Sequence, residues 1–380
     1  MTTPVAAVVK INWKLVFPWL ALFRALGLAL HVRQVFVGIT AVLLIAISEQ
    51  LIGGMPMPRE TPVMKFDASL VSWVWLPWVD LVYPFAPPRL VNHTGITFTD
   101  RDGEWWQLLG SLLRFACVLV VGSLAGGVLV RRAGMEFARE ESTGLLATVR
   151  FVLKRSLDYL SAPALPLVVV GSLGGLLWTA GLLARLIPGA DYLLSAAWGL
   201  VVLTGIVMAL LSFAVFFGWP MMIAAVSLNG GDGFDALSRG FGFVLDRWRY
   251  YAWCVVVMTA YGALSLLLMV TAIRYGEYLA LTSLAWGANH WSVHNLPQVL
   301  PNGVWQSAIA VILRGFAYSF FWSSMAIIYL VLRQSVDNAE LHEIYLEGSP
   351  QDPDGLQGLV NPTLPEPPPP PTLLPIINQP

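Results

Sequence analysis

The chain has few charged residues: Asp, Glu, Lys and Arg make up 12% of its 380 residues. A soluble domain has about twice that share, so this scarcity excludes an ordinary soluble fold. The 22 basic and 23 acidic residues nearly cancel and form no long runs, which argues against nucleic acid as a partner. Apolar residues make up 57% of the sequence instead, and this composition indicates an integral membrane protein that has membrane lipids around it.

Catalytic signatures are also missing. The sequence contains no GxSxG nucleophile elbow, no HExxH zinc motif, no dinucleotide-binding fingerprint and no pair of acids at catalytic spacing. The two cysteines, Cys117 and Cys254, fall in apolar segments at different predicted depths, so no disulfide is expected between them. No feature supports an enzyme, and we expect no cofactor.

Six apolar segments are each long enough to form a helix that crosses a bilayer, which takes about 20 residues. The sequence therefore predicts an all-α integral membrane protein with six transmembrane helices. Glycine pairs spaced four residues apart in the second and third segments, Gly122 with Gly126 and Gly171 with Gly175, are predicted to let these two helices approach closely. The predicted spans are 35–54, 108–130, 164–187, 194–219, 250–273 and 308–332.

Basic residues are concentrated on one side of these spans, and by the positive-inside rule that side is the cytoplasm. Both termini are then cytoplasmic, and we expect a multi-pass protein of the cell inner membrane. The cytoplasmic set is Lys10, Lys14, Arg24, Arg33, Arg131, Arg132, Arg139, Arg150, Lys154, Arg155, Arg239, Arg247, Arg249 and Arg333. The smaller outer set is Arg59, Lys65, Arg89, Arg101, Arg185 and Arg274.

This topology divides the chain into three parts. Residues 1–34 form a cytoplasmic N-terminal interfacial helix, residues 35–333 form the six-span membrane domain, and residues 334–380 form a cytoplasmic tail. The membrane domain also carries an outer insertion at 55–107.

The tail is rich in proline and includes the uninterrupted run Pro367 to Pro371. Such a segment adopts polyproline II structure and forms no core, so we predict a disordered tail. Two interpretations stay open. The tail is either a linker or, over Leu364 to Pro375, a segment that docks in the aromatic groove of a cytoplasmic partner.

The segments before the first, third and fifth spans carry cations along an apolar stripe, which is typical of a helix lying flat on the inner membrane face. Arg24–His31 and Arg239–Asp246 match in residue type at most positions, and Leu145–Leu160 matches more loosely. This pattern suggests a threefold internal repeat, in which each unit consists of an interfacial helix, an outward span and a returning span.

The residues before the third of these segments, Asn229–Gly233, are rich in glycine but lack the Lys and Ser/Thr of a phosphate-binding loop. We predict instead that Asp232 is the N-cap of a helix that has Asp235 in its first turn.

The helix that follows carries a resemblance. Its residues Asp235, Ala236, Leu237, Ser238 and Arg239, continuing through Phe243, Val244 and Leu245 to Arg247, resemble a pattern of uncharacterised bacterial six-helix membrane proteins. These are similar to the membrane domain attached to some glycerophosphodiester phosphodiesterases. The sequence contains no acidic motif of such an enzyme, so the resemblance implies a membrane-embedded helical module and carries over no activity.

The outer insertion contains Trp73, Trp75 and Trp78 close to Pro77 and Asp80. Proline and a charged residue argue against a seventh span, and indole rings favour the lipid headgroup layer. We therefore predict an outer interfacial hairpin at this position. A pigment or quinone pocket is the alternative.

Charged side chains inside the spans are the sharpest signals, because an ionisable group at membrane depth usually faces a partner or a cavity. Arg114 follows Trp106 in the second span, and Arg314 follows Trp305 in the sixth. Both arginines are either outward-reaching contacts to lipid phosphates, structural ion pairs, or a paired site for an anion or lipid headgroup. Glu49 is the predicted counter-ion.

Histidines give a weaker pattern. His290 and His294 have the spacing that places two imidazoles on one face of a helix, and His93 is a further ligand for a metal in that arrangement. The surrounding tryptophans and prolines favour an irregular loop, so we expect no metal site.

Two functions follow from these features. The first is a non-catalytic accessory or scaffold subunit of a membrane assembly, with other membrane subunits as partners. The second is a transporter or lipid-handling protein that binds an anion or headgroup in an outward-facing site formed by Arg114, Arg314 and Glu49.

Overall fold

A computed structural model describes residues 18–53, 73–82, 105–287, 304–337, 339 and 343–345 of the chain. These residues form helices and connecting turns, without a strand among them. The helices in chain order are α1 (Arg24–Ala29), α2 (Val32–Gly53), α3 (Leu76–Val82), α4 (Trp105–Arg139), α5 (Leu145–Lys154), α6 (Ser156–Leu186), α7 (Ala190–Ala196), α8 (Trp198–Asn229), α9 (Gly233–Asp246), α10 (Trp248–Gly287) and α11 (Val304–Asp337), and a 3-10 helix, Pro18–Phe23, precedes α1.

The six predicted spans are confirmed as helices long and apolar enough to cross a membrane, namely α2, α4, α6, α8, α10 and α11. Several extend beyond the predicted ends. In α4 the helix continues from 130 to Arg139, because Arg131 and Arg132 are buried and donate to the backbone carbonyls of Ser227 and Thr143. Cations that are satisfied in this way do not end the helix.

A short helix followed by two long helices occurs three times in the described chain: α1, α2, α4; then α5, α6, α8; then α9, α10, α11. The short helices contact the second long helix of the preceding unit in cyclic order, since α1 packs on α11, α5 on α4 and α9 on α8. This order of elements is the one that the threefold repeat predicts. We call the end of the bundle where α1, α5 and α9 lie the short-helix end, and the opposite end the distal end.

The second long helices of the three units form the centre of the bundle, because α4, α8 and α11 contact one another pairwise. The apolar part of α11 is completely buried, whereas that of α6 contains no buried residue. At the centre, the ring of Trp219 packs edge-on against that of Trp322, with centroids 5.3 Å apart. Gly122 and Gly126 of α4 make room for these two rings: a Cβ at either position would lie 2.9 Å or less from an indole carbon.

Helices α2 and α11 cross at backbone contact. A Cβ on Gly38 would lie 2.1 Å from the carbonyl oxygen of Gly315, and a Cβ on Gly315 would lie 2.7 Å from the backbone nitrogen of Ile39. Backbone atoms cannot swing aside as a side chain does, so glycine is required at both positions. The other predicted pair differs, since nothing lies within 4 Å of a Cβ at Gly171 or Gly175. Because Gly122 and Gly126 face α8 and α11 rather than α6, the prediction that these pairs bring the second and third spans together is wrong.

The predicted start of α9 is confirmed. Asp232 is the N-cap residue, and its side chain accepts a hydrogen bond of 2.8 Å from the backbone N–H of Asp235. The preceding helix α8 ends at Gly230, which has a positive φ of 69°, a conformation that costs glycine nothing. The end of α8 and the start of α9 are therefore joined by only three residues, 230–232.

The described part of the outer insertion corrects a prediction. Trp78 is fully buried, and its ring lies 4.9 Å from that of Phe321, which is halfway along α11. Trp75 donates a 2.9 Å hydrogen bond to the Thr259 hydroxyl in α10. The segment 73–82 thus packs among the long helices instead of forming a hairpin on the surface, because Trp73 and Trp78 are buried by protein and Trp75 is half-buried with its indole N–H bonded.

Helix α3 occupies the space beside α11 from which the first half of α8 diverges. Val215 is the first buried residue of α8, and within 167–214 no residue with a described side chain is buried. This stretch, which we call the exposed hairpin, diverges from the centre close to Pro163 and Pro166 in α6 and to Pro220 in α8. Trp78 of α3 packs on Phe216 and Phe217 at the divergence.

Candidate functional site

Two arginines and two acids from four helices lie close together toward the distal end of the bundle. Arg114 lies in the first third of α4 and Arg314 in the first third of α11, whereas Glu49 lies near the end of α2. Since α2 runs in the opposite direction to α4 and α11 and packs against both, its end lies beside their beginnings. Asp80 lies in α3, which also packs on α4 and α11. We call these four residues the charge cluster.

The predicted charged residues are grouped but not in direct contact. The charges of Arg114 and Arg314 both act on the Glu49 carboxylate. Within the described residues, however, no ion pair of 4.0 Å or less joins Glu49 to either arginine. The side chain of Glu49 is exposed at the surface of the protein, and both arginines are half-buried.

Asp80 is the member of the cluster that the sequence did not identify as a site residue. It lies outside the six spanning helices, and the charges of Glu49 and Arg314 both act on it. The pKa of its carboxyl is raised to about 7, first by burial and second by the neighbouring Glu49 carboxylate, against the opposing effect of Arg314. The sequence signal for this residue is an aspartate within a tryptophan-rich apolar segment, the same feature that argues against a seventh span.

The aromatic neighbours also differ from the prediction. Trp73 is buried, and the guanidinium carbon of Arg314 lies 5.8 Å from the centre of its ring, within range of a cation–π interaction. Trp305 is 72% exposed and so does not enclose the cluster. Trp106 belongs to α4, but its side chain lies outside the described part of the structure.

Several buried polar atoms near the cluster have no hydrogen-bond partner among the described residues. They include Nε of Arg114 and the hydroxyl of Tyr318, which is one turn beyond Arg314. The charge of Asp80 acts on this hydroxyl, so Tyr318 borders the cluster. The Trp322 ring lies next to Tyr318 with centroids 6.4 Å apart, yet the two polar groups do not meet with hydrogen-bond geometry. Polar atoms of this kind are strongly predisposed to bind water or a ligand.

A second polar group, at the short-helix end, has a structural explanation. The Arg131 guanidinium donates a 2.7 Å hydrogen bond to the Ser227 carbonyl and lies 3.6 Å from the centre of the Phe151 ring. Arg155 donates to the carbonyl of Gly230, and the Tyr159 hydroxyl is 3.0 Å from Oγ of Ser227. These cations cap the C-terminal carbonyls of α8 and complement its dipole.

The metal candidates His93, His290 and His294 and the tail segment Leu364 to Pro375 lie outside the described residues. Among the residues that are described, no three His, Cys, Asp or Glu side chains are grouped so that they could hold a metal ion.

Comparison with known proteins finds no match for the chain among family models, curated proteins or solved structures. Its function is therefore inferred from the residues and geometry described above.

Proposed function

We propose that the chain is a non-catalytic accessory or scaffold subunit of a membrane assembly in the cell inner membrane. The exposed hairpin is the observation that carries this proposal. Its two halves belong to α6 and α8, which pack on each other, while their other faces present large apolar side chains. Examples are Val168, Leu176, Trp178, Leu186, Leu200, Leu203, Leu210 and Phe213.

A helix of another membrane subunit is the partner that fits this surface. Gly171 and Gly175 are four residues apart, and a Cβ at either position would meet nothing within 4 Å. Small residues at this spacing allow close helix approach in a membrane, where the association of helices depends on van der Waals packing. The resemblance to six-helix membrane modules agrees with such a role.

Photo-crosslinking tests the hairpin directly. A photoreactive residue at Leu176, in the full chain in its native membrane, is expected to give one discrete adduct with a membrane protein. The adduct should be lost when Gly171→Leu is added, and kept with the matched change Gly205→Leu on α8, where a Cβ also meets nothing within 4 Å. Adducts with lipid alone would overturn the proposal, because they would show that lipid covers the hairpin.

The orientation is proposed from the charge bias, with both termini and the helices α1, α5 and α9 on the cytoplasmic side. In a chain with Cys117 and Cys254 changed to alanine, new cysteines at Ser142 and Ser349 should be shielded from an impermeant thiol reagent added outside. A cysteine at Thr99 should react. Labelling in the opposite pattern would reverse the topology.

The tail is proposed to serve that assembly from the cytoplasm, with Leu364 to Pro375 as a polyproline II ligand. Replacing Pro367 to Pro371 by alanine should release a soluble cytoplasmic partner from the membrane complex, without changing the crosslink at Leu176. If every soluble partner were retained, the proposed docking role would be wrong and the tail would be a linker.

A second candidate function is lipid handling at the charge cluster. It is favoured by two guanidinium groups whose charges act on one region, and which make no direct carboxylate contact within the part of the chain that the structure describes. Within that part, Nε of Arg114 also lacks a hydrogen-bond partner. A phosphate group is the ligand that two arginines bind best, because each can donate two parallel hydrogen bonds to it.

A further inference from the structure

We propose that the charge cluster is a proton-linked binding site for a phosphate-bearing anion, in which protonation of Asp80 permits the anion to bind between Arg114 and Arg314. The inference rests on the second candidate function and adds its regulation. The phosphate belongs either to a lipid headgroup or to a free anion, since both present the same group to the arginines.

The charge count of the cluster is the first argument. With all four groups ionised, Arg114 and Arg314 balance Glu49 and Asp80, and an arriving anion finds no net positive charge. Protonation of Asp80 removes one negative charge and leaves a net charge of +1. In a protein interior a single charge at close range has a large effect, because the effective dielectric constant is well below that of water.

Asp80 is the acid placed to make this change. It receives the charges of Glu49 from α2 and of Arg314 from α11, and the Tyr318 hydroxyl of α11 also faces it. Of the other elements packed around residues 73–82, α4 carries the fourth charge of the cluster, Arg114, whereas in the described contacts α8 contributes phenylalanines and α10 the Thr259 hydroxyl. Since burial first and the like charge of Glu49 second disfavour the ionised form of Asp80, this carboxyl takes up a proton more readily than an isolated surface aspartate does.

Access to the site is the second argument. Glu49 is exposed and both arginines are half-buried, so the cluster reaches the surface of the bundle instead of being sealed in the core. The buried Trp73 ring and the buried Tyr318 hydroxyl border the cluster, and this hydroxyl has no hydrogen-bond partner among the described residues. An anion entering from the surface would meet two guanidinium groups and, at its inner side, a hydroxyl donor.

Linkage fixes the sign of the pH effect. If anion binding favours protonated Asp80, then protonation of Asp80 favours anion binding by the same factor. Affinity is therefore highest below the pKa of Asp80 and falls as the pH rises through it. Between pH 6 and pH 8 the affinity should fall about tenfold, because one proton is taken up with the anion across a pKa near the middle of this range.

Binding by the full chain in detergent micelles tests both statements. The probes are a short-chain phosphatidylglycerol, titrated at pH 6 and pH 8, and inorganic phosphate, tested at pH 6 where it is mainly a monoanion. Short-chain phosphatidylcholine, whose headgroup is zwitterionic with no net charge, is the comparison and should bind more weakly than phosphatidylglycerol at pH 6. The wild-type chain should bind phosphatidylglycerol about tenfold more tightly at pH 6. Binding of inorganic phosphate as well would identify a free anion as a ligand, and its absence would identify the lipid headgroup.

Variants separate the two parts of the inference. Asp80→Asn should bind equally at both pH values with the affinity of the wild type at pH 6. Arg114→Gln and Arg314→Gln should abolish binding at both, and Arg114→Lys should restore part of it. Arg185→Gln, a change at an exposed arginine of α6, should leave binding and its pH dependence as in the wild type.

Each failure has a distinct meaning. Absence of binding by both anionic probes at pH 6, in a protein that elutes as a single species, would overturn the anion site itself. Binding that is independent of pH in the wild type, or that keeps its pH dependence in Asp80→Asn, would overturn the proton linkage and leave the anion site intact.

Discussion

At the short-helix end of the bundle some arginines donate to helix carbonyls and others pair with acids, such as Arg239 with Asp235 at 2.8 Å. Toward the distal end, Arg114 and Arg314 meet no carboxylate at ion-pair distance among the described residues, although the Glu49 carboxylate lies within electrostatic range. Arg131, Arg155 and Arg247 bond the carbonyls of Ser227, Gly230 and Ser335, at the C-termini of α8 and α11. The central helices begin at the distal end, where the free backbone groups are N–H donors rather than carbonyl acceptors. Arg114 and Arg314 therefore depend on side chains or on a ligand for their partners.

The two ends also differ in how they are packed. Toward the short-helix end, α4, α8 and α11 interlock through glycines and tryptophans, and each short helix covers a junction. In the distal half, α8 leaves with α6 as the exposed hairpin, and α3 takes the vacated place beside α11. The comparison suggests that the first half holds the fold together and that the second is the part available for partners and ligands.

Gly38→Leu is expected to have the largest effect, because its side chain would have to occupy the position of the Gly315 backbone. Overpacking costs about 1 to 3 kcal/mol and occasionally more, and a clash with backbone falls at the upper end of this range. We therefore expect loss of a folded, monodisperse protein by fluorescence-detected size exclusion. Gly171→Leu, on the exposed hairpin, should elute as the wild type does. If the two variants gave the same elution profile, the proposed difference in packing between the two halves would be wrong.

Trp322→Ala comes next. The ring is fully buried between α4 and α8, and removing such a ring costs about 3 to 5 kcal/mol. The melting temperature in detergent should fall by several degrees or more. The control is Trp198→Ala on the hairpin, where the ring is 62% exposed and the change should shift the melting temperature little. A larger loss at Trp198 would show that the hairpin packs within the fold.

The smallest effects are expected at the two ends of α9. Asp232→Ala removes the N-cap hydrogen bond to Asp235 and should destabilise the protein by about 1 kcal/mol. Asp246→Ala, at the C-terminal residue of the same helix, removes a negative charge from the negative end of the dipole. It should be neutral or slightly stabilising. Thermal unfolding of both variants checks the signs, and the same sign in both would contradict this account.

Hydropathy alone was sufficient to predict the six spans, since a helix that crosses a bilayer must be long and apolar whatever it packs against. Local sequence rules were sufficient to predict Asp232 as an N-cap, because the capping hydrogen bond joins residues only three positions apart. By contrast, the glycine spacing at Gly171 and Gly175 is the same as at Gly122 and Gly126, and the two pairs lie in opposite environments. Spacing cannot tell which face of a helix is enclosed.

The charge cluster also contains a part that the sequence predicts and a part that depends on the fold. Counting residues placed Arg114, Arg314 and Glu49 at a similar depth, and they do lie within electrostatic range. It could not place Asp80 beside them, because Asp80 comes from a segment that the tryptophans assigned to the headgroup layer. Only the packing of Trp78 against Phe216 and Phe321 brings α3 between the long helices.

By itself, the sequence determined the class of the protein, the number and approximate position of its spans and the start of α9, because all of these follow from apolar content and local hydrogen bonding. Tertiary structure alone decided that α11 is central, that α6 and the first half of α8 stand apart, and that two acids from separate segments share one pair of arginines. Those features depend on which helix faces meet. The shapes of side chains that are far apart in the sequence decide this, and no local sequence pattern contains that information.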